Sequence, residues 1–206
     1  MGAKSELQTR TRILQAAQAE FLEKGFRAAS LRSIVKAAGV TTGAFYGYFE
    51  SKAQLFDALV GEQYETIMAR YREAQEAFRR LAPEQQHENV GEISGDCMDW
   101  MLEYMYANPV AFRLILCASD GTPYADMVDE MARIEVDATD KFIHTLQQLG
   151  QPDPKLDKQL EHILVSGMFT AFFEVIVHEM PKERAYDYMR ELRAFYTAGW
   201  KQIIGF

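Results

Sequence analysis

Only two of the 206 residues are cysteine, Cys97 and Cys117, so no disulfide framework can brace this chain. Neither belongs to a CxxC pair, and both are expected to be buried, reduced thiols. Histidine is scarce as well, with four in all. His144, His162 and His178 stand far apart, and none forms HxxxH or HExxH with a neighbour, which argues against a metal centre. There is no Walker loop, GxGxxG or GxSxG, so neither a catalytic residue nor a cofactor is expected. No uninterrupted apolar run approaches the roughly 18 residues of a membrane span, and no charged-then-apolar leader opens the chain. The first residues fail the myristoylation pattern at Glu6, where Ser or Thr is required. A cytoplasmic location without a membrane partner is the expectation.

What the chain does have is ordinary in amount and uneven in placement. Hydrophobic residues make up 48% and charged residues 25%, a soluble globular balance with enough length for a sizeable core. The net charge of −8 would argue against a polyanionic partner. Its distribution argues the reverse. Residues 1–52 hold eight basic and four acidic side chains, a net +4, which leaves −12 on the other 154 residues. A basic head on an acidic body is what results when only the head meets phosphate.

The six prolines fall only at breaks, and no segment alternates apolar with polar residues, so the chain is expected to be all-α. The first helix is expected from Ser5 to Lys24, stopping at Gly25, with Ile13, Ala16, Ala17 and Phe21 on one face. Ser30 should cap a second helix to Ala38, with Gly39 supplying the turn, and a third should run from Thr41 to Tyr48. Ser51 and Gln54 form a capping box for a long fourth helix to Arg80. A fifth is expected over Glu84–Ala107, and Asn108-Pro109 opens a sixth that ends before Asp120. The remaining three are expected over Pro123–Leu149, Lys155–Met180 and Lys182–Ile204, about nine helices in total.

The stretch Ser30–Lys52 has the shape of a helix-turn-helix. Ile34, Ala37 and Ala38 can pack inward from one helix and Val40 and Phe45 from the other, around the bend at Gly39. The third helix then offers Thr41, Thr42, Ala44, Tyr46, Gly47 and Tyr48 to a DNA groove. Hydroxyls suit phosphates or base edges, and Ala44 and the threonine methyls suit a thymine methyl. Gly43 lets backbone approach DNA closely, and Lys52 is placed for a phosphate. Phe45 and Phe49, four residues apart, read as core; Tyr46 and Tyr48 lie off that face. Lys4 and Arg10 belong to a basic arm that either tracks phosphate or only solubilises.

Residues 10–55 resemble the DNA-binding domain of the TetR family of bacterial transcription regulators. The run RTRILQAAQAEFLEKGF is similar to that family's R-x-x-I-L-x-A-A-x-x-x-F-x-x-x-G-F. Ser30-Leu31-Arg32-Ser33-Ile34, then Ala38-Gly39-Val40, resembles its second helix and turn, and Thr41 to Lys52 its recognition helix with the F-x-S-K entry to helix four. The resemblance implies Thr41, Thr42, Gly43, Tyr46 and Tyr48 at the DNA face, with Tyr46, Tyr48 and Lys52 mostly on phosphate and Thr42 and Ala44 toward bases. It further implies a phosphate-contacting hydroxyl at Ser30, with Arg32 beside it. Val35 stands where the family commonly has alanine, and Tyr48 where it often has histidine.

The resemblance also implies an organisation. Residues 1–52 would be a three-helix DNA-binding domain, and 53–206 a helical regulatory domain with a ligand cavity among helices four to eight and a dimer formed largely by the last two helices. Candidate ligand residues are Trp100, Met101 and Tyr104 on the fifth helix, Phe112 on the sixth, and Phe169 and Phe172 on the eighth, an aromatic and methionine stripe that reads as pocket or as plain core. Asp99, Glu103 and Glu174 are either charges for a cationic ligand or solvated surface acids. Candidate dimer residues are Gly167, Ala171 and Val175 on an eighth helix that is apolar almost all round, with Leu192, Phe195 and Tyr196 on the ninth. The expected function is a ligand-responsive homodimeric repressor, released from a palindromic double-stranded DNA operator by a small molecule. An activator or corepressor-dependent regulator is a second possibility, and a ligand-sequestering protein or enzyme with a vestigial head a third.

Overall fold

The computed structural model describes residues 2–89, 92–151 and 154–204. Among them are ten α-helices and one short 3-10 turn, and no strand. The helices are α1 Gly2–Ala28, α2 Leu31–Ala37, α3 Thr42–Tyr46, α4 Lys52–Arg79 and α5 Pro83–Asn89, then α6 Glu92–Ala107, α7 Pro109–Ala118, α8 Met127–Gln148, α9 Lys158–Val177 and α10 Lys182–Ile204. The expected helix over 84–107 is covered by α5 and α6, and positions 90–91 between them lie outside the described residues. Pro123–Asp126 forms the 3-10 turn, and α8 starts only at Met127.

Sequence chemistry explains most of these limits. Ser30 Oγ accepts from the Ser33 amide at 3.3 Å, Thr41 Oγ1 from the Ala44 amide at 3.1 Å, and Ser51 Oγ from the Gln54 amide at 3.1 Å. Asp157 likewise caps α9 through the amides of Gln159 and Leu160. Asn108, expected as a cap, makes no side-chain cap bond; Pro109 alone opens α7. The α2 end is closed by Gly39 at φ 64°, with Gly39 N–H on Lys36 O and Val40 N–H on Val35 O. At Gly25, φ is 73°, which interrupts the helical backbone of α1 at the expected place.

The chain divides into two compact units. The first joins residues up to 65 with Asn108–Ala125, and the second joins Thr66–Ala107 with the residues from 126 onward. In the first, α7 packs on α1, and the core includes Ile13, Phe21, Ile34, Phe45, Phe56 and Phe112, all fully buried. Phe21, Phe26 and Phe56 meet ring on ring, with centroids 5.1–5.9 Å apart. In the second, α8 and α10 both pack on α9. Among the described helices, α9 is the one long and apolar enough to cross a membrane by length and composition. It serves here as a core helix, with Val165, Phe169, Phe172, Phe173, Val175 and Ile176 buried. The cysteines are both free, but Cys117 is exposed, which corrects the expectation that both are buried; it falls on the outer face of the α7 stripe.

Candidate nucleic-acid interface and interior cavity

In the first unit, the turn at Gly39 projects α3 so that one side is buried and the other bare. Phe45 and Phe49 are core, as their spacing implies. Thr41, Thr42, Gly43 and Ala44 are exposed, Tyr46 is 54% exposed and Tyr48 half-buried. Arg32 is exposed and Ser30 half-buried. Ala37, expected to pack inward, is exposed because the helix turns its face outward one residue before Ala38. The cap bonds use the acceptor lone pairs of Ser30 and Thr41, so each hydroxyl proton stays available to an outside acceptor.

This surface is braced from beneath. The Glu20 carboxylate is 9% exposed and accepts the Ser30 amide at 2.9 Å and the Lys24 ammonium at 2.9 Å. Those two bonds, the Ser30 amide above all, hold its pKa below the ordinary carboxylate value. Lys52 departs from expectation. Its ammonium donates to the carbonyls of Phe26 at 2.6 Å, Ala29 at 3.0 Å and Arg27 at 3.2 Å, and lies 4.6 Å from the Phe26 ring centroid. Three donors meet three acceptors, so Lys52 closes the end of α1 and has none left for phosphate. Arg10 lies over the Phe49 ring at 5.5 Å.

Gly43 is informative in another way. Among the described residues, a Cβ built there would meet only Thr41 Oγ1, at 4.0 Å, and nothing else among them calls for a glycine at that position.

The second unit holds a partly open cavity of about 180 Å³ lined by α4, α6, α8, α9 and α10. Of the candidate ligand residues, Met101, Phe169 and Phe172 line it. Trp100 and Tyr104 stack on each other instead, centroids 5.0 Å apart, outside its walls. Phe112 belongs to the core of the first unit. The cavity follows α6 from Ile93 to Met101. The three acids weighed for a cationic ligand are surface partners: Asp99 of Arg193, Glu103 of Lys182 and Glu174 of His178.

Glu135 was missed. On α8 it lines the cavity and accepts from the Tyr71 hydroxyl at 2.5 Å and the Gln75 amide at 2.6 Å, both at Oε2. Burial pushes its carboxyl above the ordinary range, opposed by those two hydrogen bonds. Burial, with the Glu135 charge beside it, likewise pushes Tyr71 well up, and burial takes the Cys97 thiol to about 11. A signal existed: Glu135 falls at helical spacing between buried Met131 and Phe142, on the apolar stripe of α8.

The candidate dimer residues disperse. Val175 is fully buried inside the unit, so it cannot meet a partner, because α9 turns that face to its own core. Leu192 and Tyr196 line the cavity, and Gly167 faces the Tyr196 hydroxyl, which a Cβ would meet at 3.3 Å. Ala171 is half-buried and Phe195 is 73% exposed. Leu160, Ile163, Thr170 and Val177 make an exposed stripe along α9.

An all-helical chain with a helix-turn-helix unit and a second, cavity-bearing helical unit is the class these features define. Residues 13–59 match the family of bacterial regulatory proteins known as tetR. The likeness to that family lies in this head. It is 43% identical over 65 residues to the HTH-type transcriptional regulator UidR of Escherichia coli strain K12, covering 32% of this chain and 33% of that one. It is 38% identical over 64 residues to the HTH-type transcriptional repressor KstR2 of Mycobacterium tuberculosis, covering 31% and 32%. The match thus spans about a third of the length of these curated relatives. Beyond the head the likeness is one of fold: Salmonella enterica GusR superposes over 92% of this chain and 94% of its own with a TM-score of 0.51 at 24% identity.

Proposed function

We propose that this protein is a cytoplasmic homodimeric repressor that binds a palindromic DNA operator through α3 and releases it when a small molecule fills the cavity. The observation that carries the reading is the bare face of α3, with its glycine that none of the described residues requires. Thr41, Thr42, Ala44, Tyr46 and Tyr48 would meet the groove and its phosphates, with Ser30 and Arg32 beside them; Lys52 acts from below, by holding the corner that α3 stands on. The +4 charge of residues 1–52 favours phosphate, and the −12 on the rest of the chain keeps other faces away from it. KstR2 is named a repressor, which supports the direction of regulation.

The exposed α9 stripe and Phe195 on α10 support pairing of two copies, which would set two α3 helices on half-sites about 34–36 Å apart. Effector control follows from chain connection. Helix α4 begins in the first unit and ends in the second, and α6, whose Cys97 and Met101 line the cavity, passes through Asn108 into α7, which packs on α1. A molecule in the cavity shifts the separation of the two α3 helices only by its differential affinity for the two states. Fluorescence anisotropy with palindromic fragments from the gene's own upstream region tests the core of this. Expected is binding that weakens steeply with salt and is lost in Tyr46→Ala. No specific binding to any such fragment sinks the reading.

A further inference from the structure

We infer that the effector is a small organic cation, about one substituted aromatic ring in size and of quaternary-ammonium character, whose charge is met by Glu135. The inference rests on the cavity being the effector site. Size comes from volume: a dry cavity of about 150 Å³ holds benzene, so about 180 Å³ has room for one substituted ring. The walls are mainly apolar and aromatic, among them Phe142, Phe169, Phe172, Met101 and Trp200.

Among the described residues two charged side chains, Glu135 and Arg193, reach this space, and their states differ. Arg193 already has its anion: Nη1 lies 3.1 Å from each carboxylate oxygen of Asp99. Glu135 has only neutral donors, both on Oε2, and no cationic side chain pairs with it among the described residues. A carboxylate facing an apolar cavity without a counter-ion is costly, and a cationic ligand removes that cost while a neutral one leaves it. An anionic ligand would meet Glu135 as a like charge, with Arg193 already committed.

The surroundings favour a diffuse, alkylated cation over a hydrated ammonium. Tyr71, whose hydroxyl holds Glu135, sets its ring edge-to-face against Phe169 with centroids 5.6 Å apart. Both line the cavity, so a quaternary nitrogen beside Glu135 lies within reach of aromatic faces. Such a group needs no hydrogen-bond acceptors of its own, and Glu135 would supply the charge.

The test uses two probes of one shape on the full chain: phenyltrimethylammonium and its neutral counterpart tert-butylbenzene, measured by titration calorimetry on wild type and on Glu135→Gln. Expected is a preference of at least tenfold for the cation in wild type, reduced to parity or reversed in Glu135→Gln, whose fold is checked by circular dichroism. Equal affinity for both probes in wild type, or cation binding unchanged in Glu135→Gln, overturns the inference and leaves the cavity reading intact. Absence of binding by either probe overturns both. Should Glu135→Gln not fold, Glu135→Met serves instead, and cation binding unchanged there is again the adverse result.

Discussion

The Lys52 ammonium lies 2.6 Å from the carbonyl oxygen of Phe26, so the first residue of α4 closes the last turn of α1. A side chain expected on phosphate is spent inside the fold, and its loss should be felt there first. Lys52→Met should lower the stability of the head by about 1–2 kcal/mol, the scale of losing charge-assisted hydrogen bonds. It should leave the salt dependence of DNA binding unchanged, whereas Arg32→Ala should flatten the slope by about one phosphate contact. Thermal unfolding and anisotropy at several salt concentrations separate the two effects.

Gly43→Ala tests the α3 face from the opposite side. No atom of the described residues opposes a methyl there, and alanine favours a helix over glycine by up to about 1 kcal/mol. The variant should therefore melt at the same temperature or slightly higher. Its operator affinity should fall at least tenfold, since the methyl stands where DNA backbone would approach. A variant that binds as well as wild type removes Gly43 from the interface.

Glu179 ends α9 at φ 48°, in the left-handed region, with its amide on Ile176 O and the Met180 amide on Val175 O. This is the place in a helix terminus that glycine takes at little cost. Glu179→Gly should stabilise the second unit by about 1 kcal/mol. The expected readout is a melting temperature raised by a few degrees; a fall would show that the glutamate side chain outweighs its backbone strain.

Glu135 sets a pH dependence. Burial holds its folded pKa above the ordinary 4.5, so the folded protein binds this proton more tightly than the unfolded chain. The stability so contributed is full below 4.5 and is lost as pH rises through the folded value. Glu135→Gln escapes that loss. Its stability relative to wild type should therefore grow between acid and neutral pH, as read by denaturant titration at several pH values. A difference independent of pH contradicts the assignment.

Ile163 and Phe195 are 64% and 73% exposed, so charges at both should leave the protomer folded. The double variant Ile163→Arg, Phe195→Arg should run as a monomer in light scattering and lose affinity for a palindromic fragment far more than for one half-site. A dimer that survives both substitutions moves the interface elsewhere.

The head was legible because its signals are local. Ser30, Thr41 and Ser51 cap the amide three residues on, Gly39 takes a backbone angle other residues avoid, and Phe45 and Phe49 share a face by helical spacing alone. The cavity was half legible. Met101, Phe169 and Phe172 lie on its walls, but periodicity could not tell cavity wall from plain core, so Trp100, Tyr104 and Phe112 were grouped with them. Glu135 was within reach of the same method, as a carboxylate standing on an apolar stripe. The acids beside the aromatic cluster, Asp99, Glu103 and Glu174, are paired at the surface.

By itself, the sequence determined the all-helical fold, most helix limits, the bare face of α3 and the basic head on an acidic body. All of these depend on residues within one or two helical turns, or on composition. Tertiary structure alone decided that Lys52 serves α1, that α7 joins the first unit, that Val175 faces inward and that Glu135 shares a cavity with Tyr71 and Gln75. These are pairings across 20 to 100 positions of chain. The stripe on one helix states that it must be buried, and only the packed partner states against what.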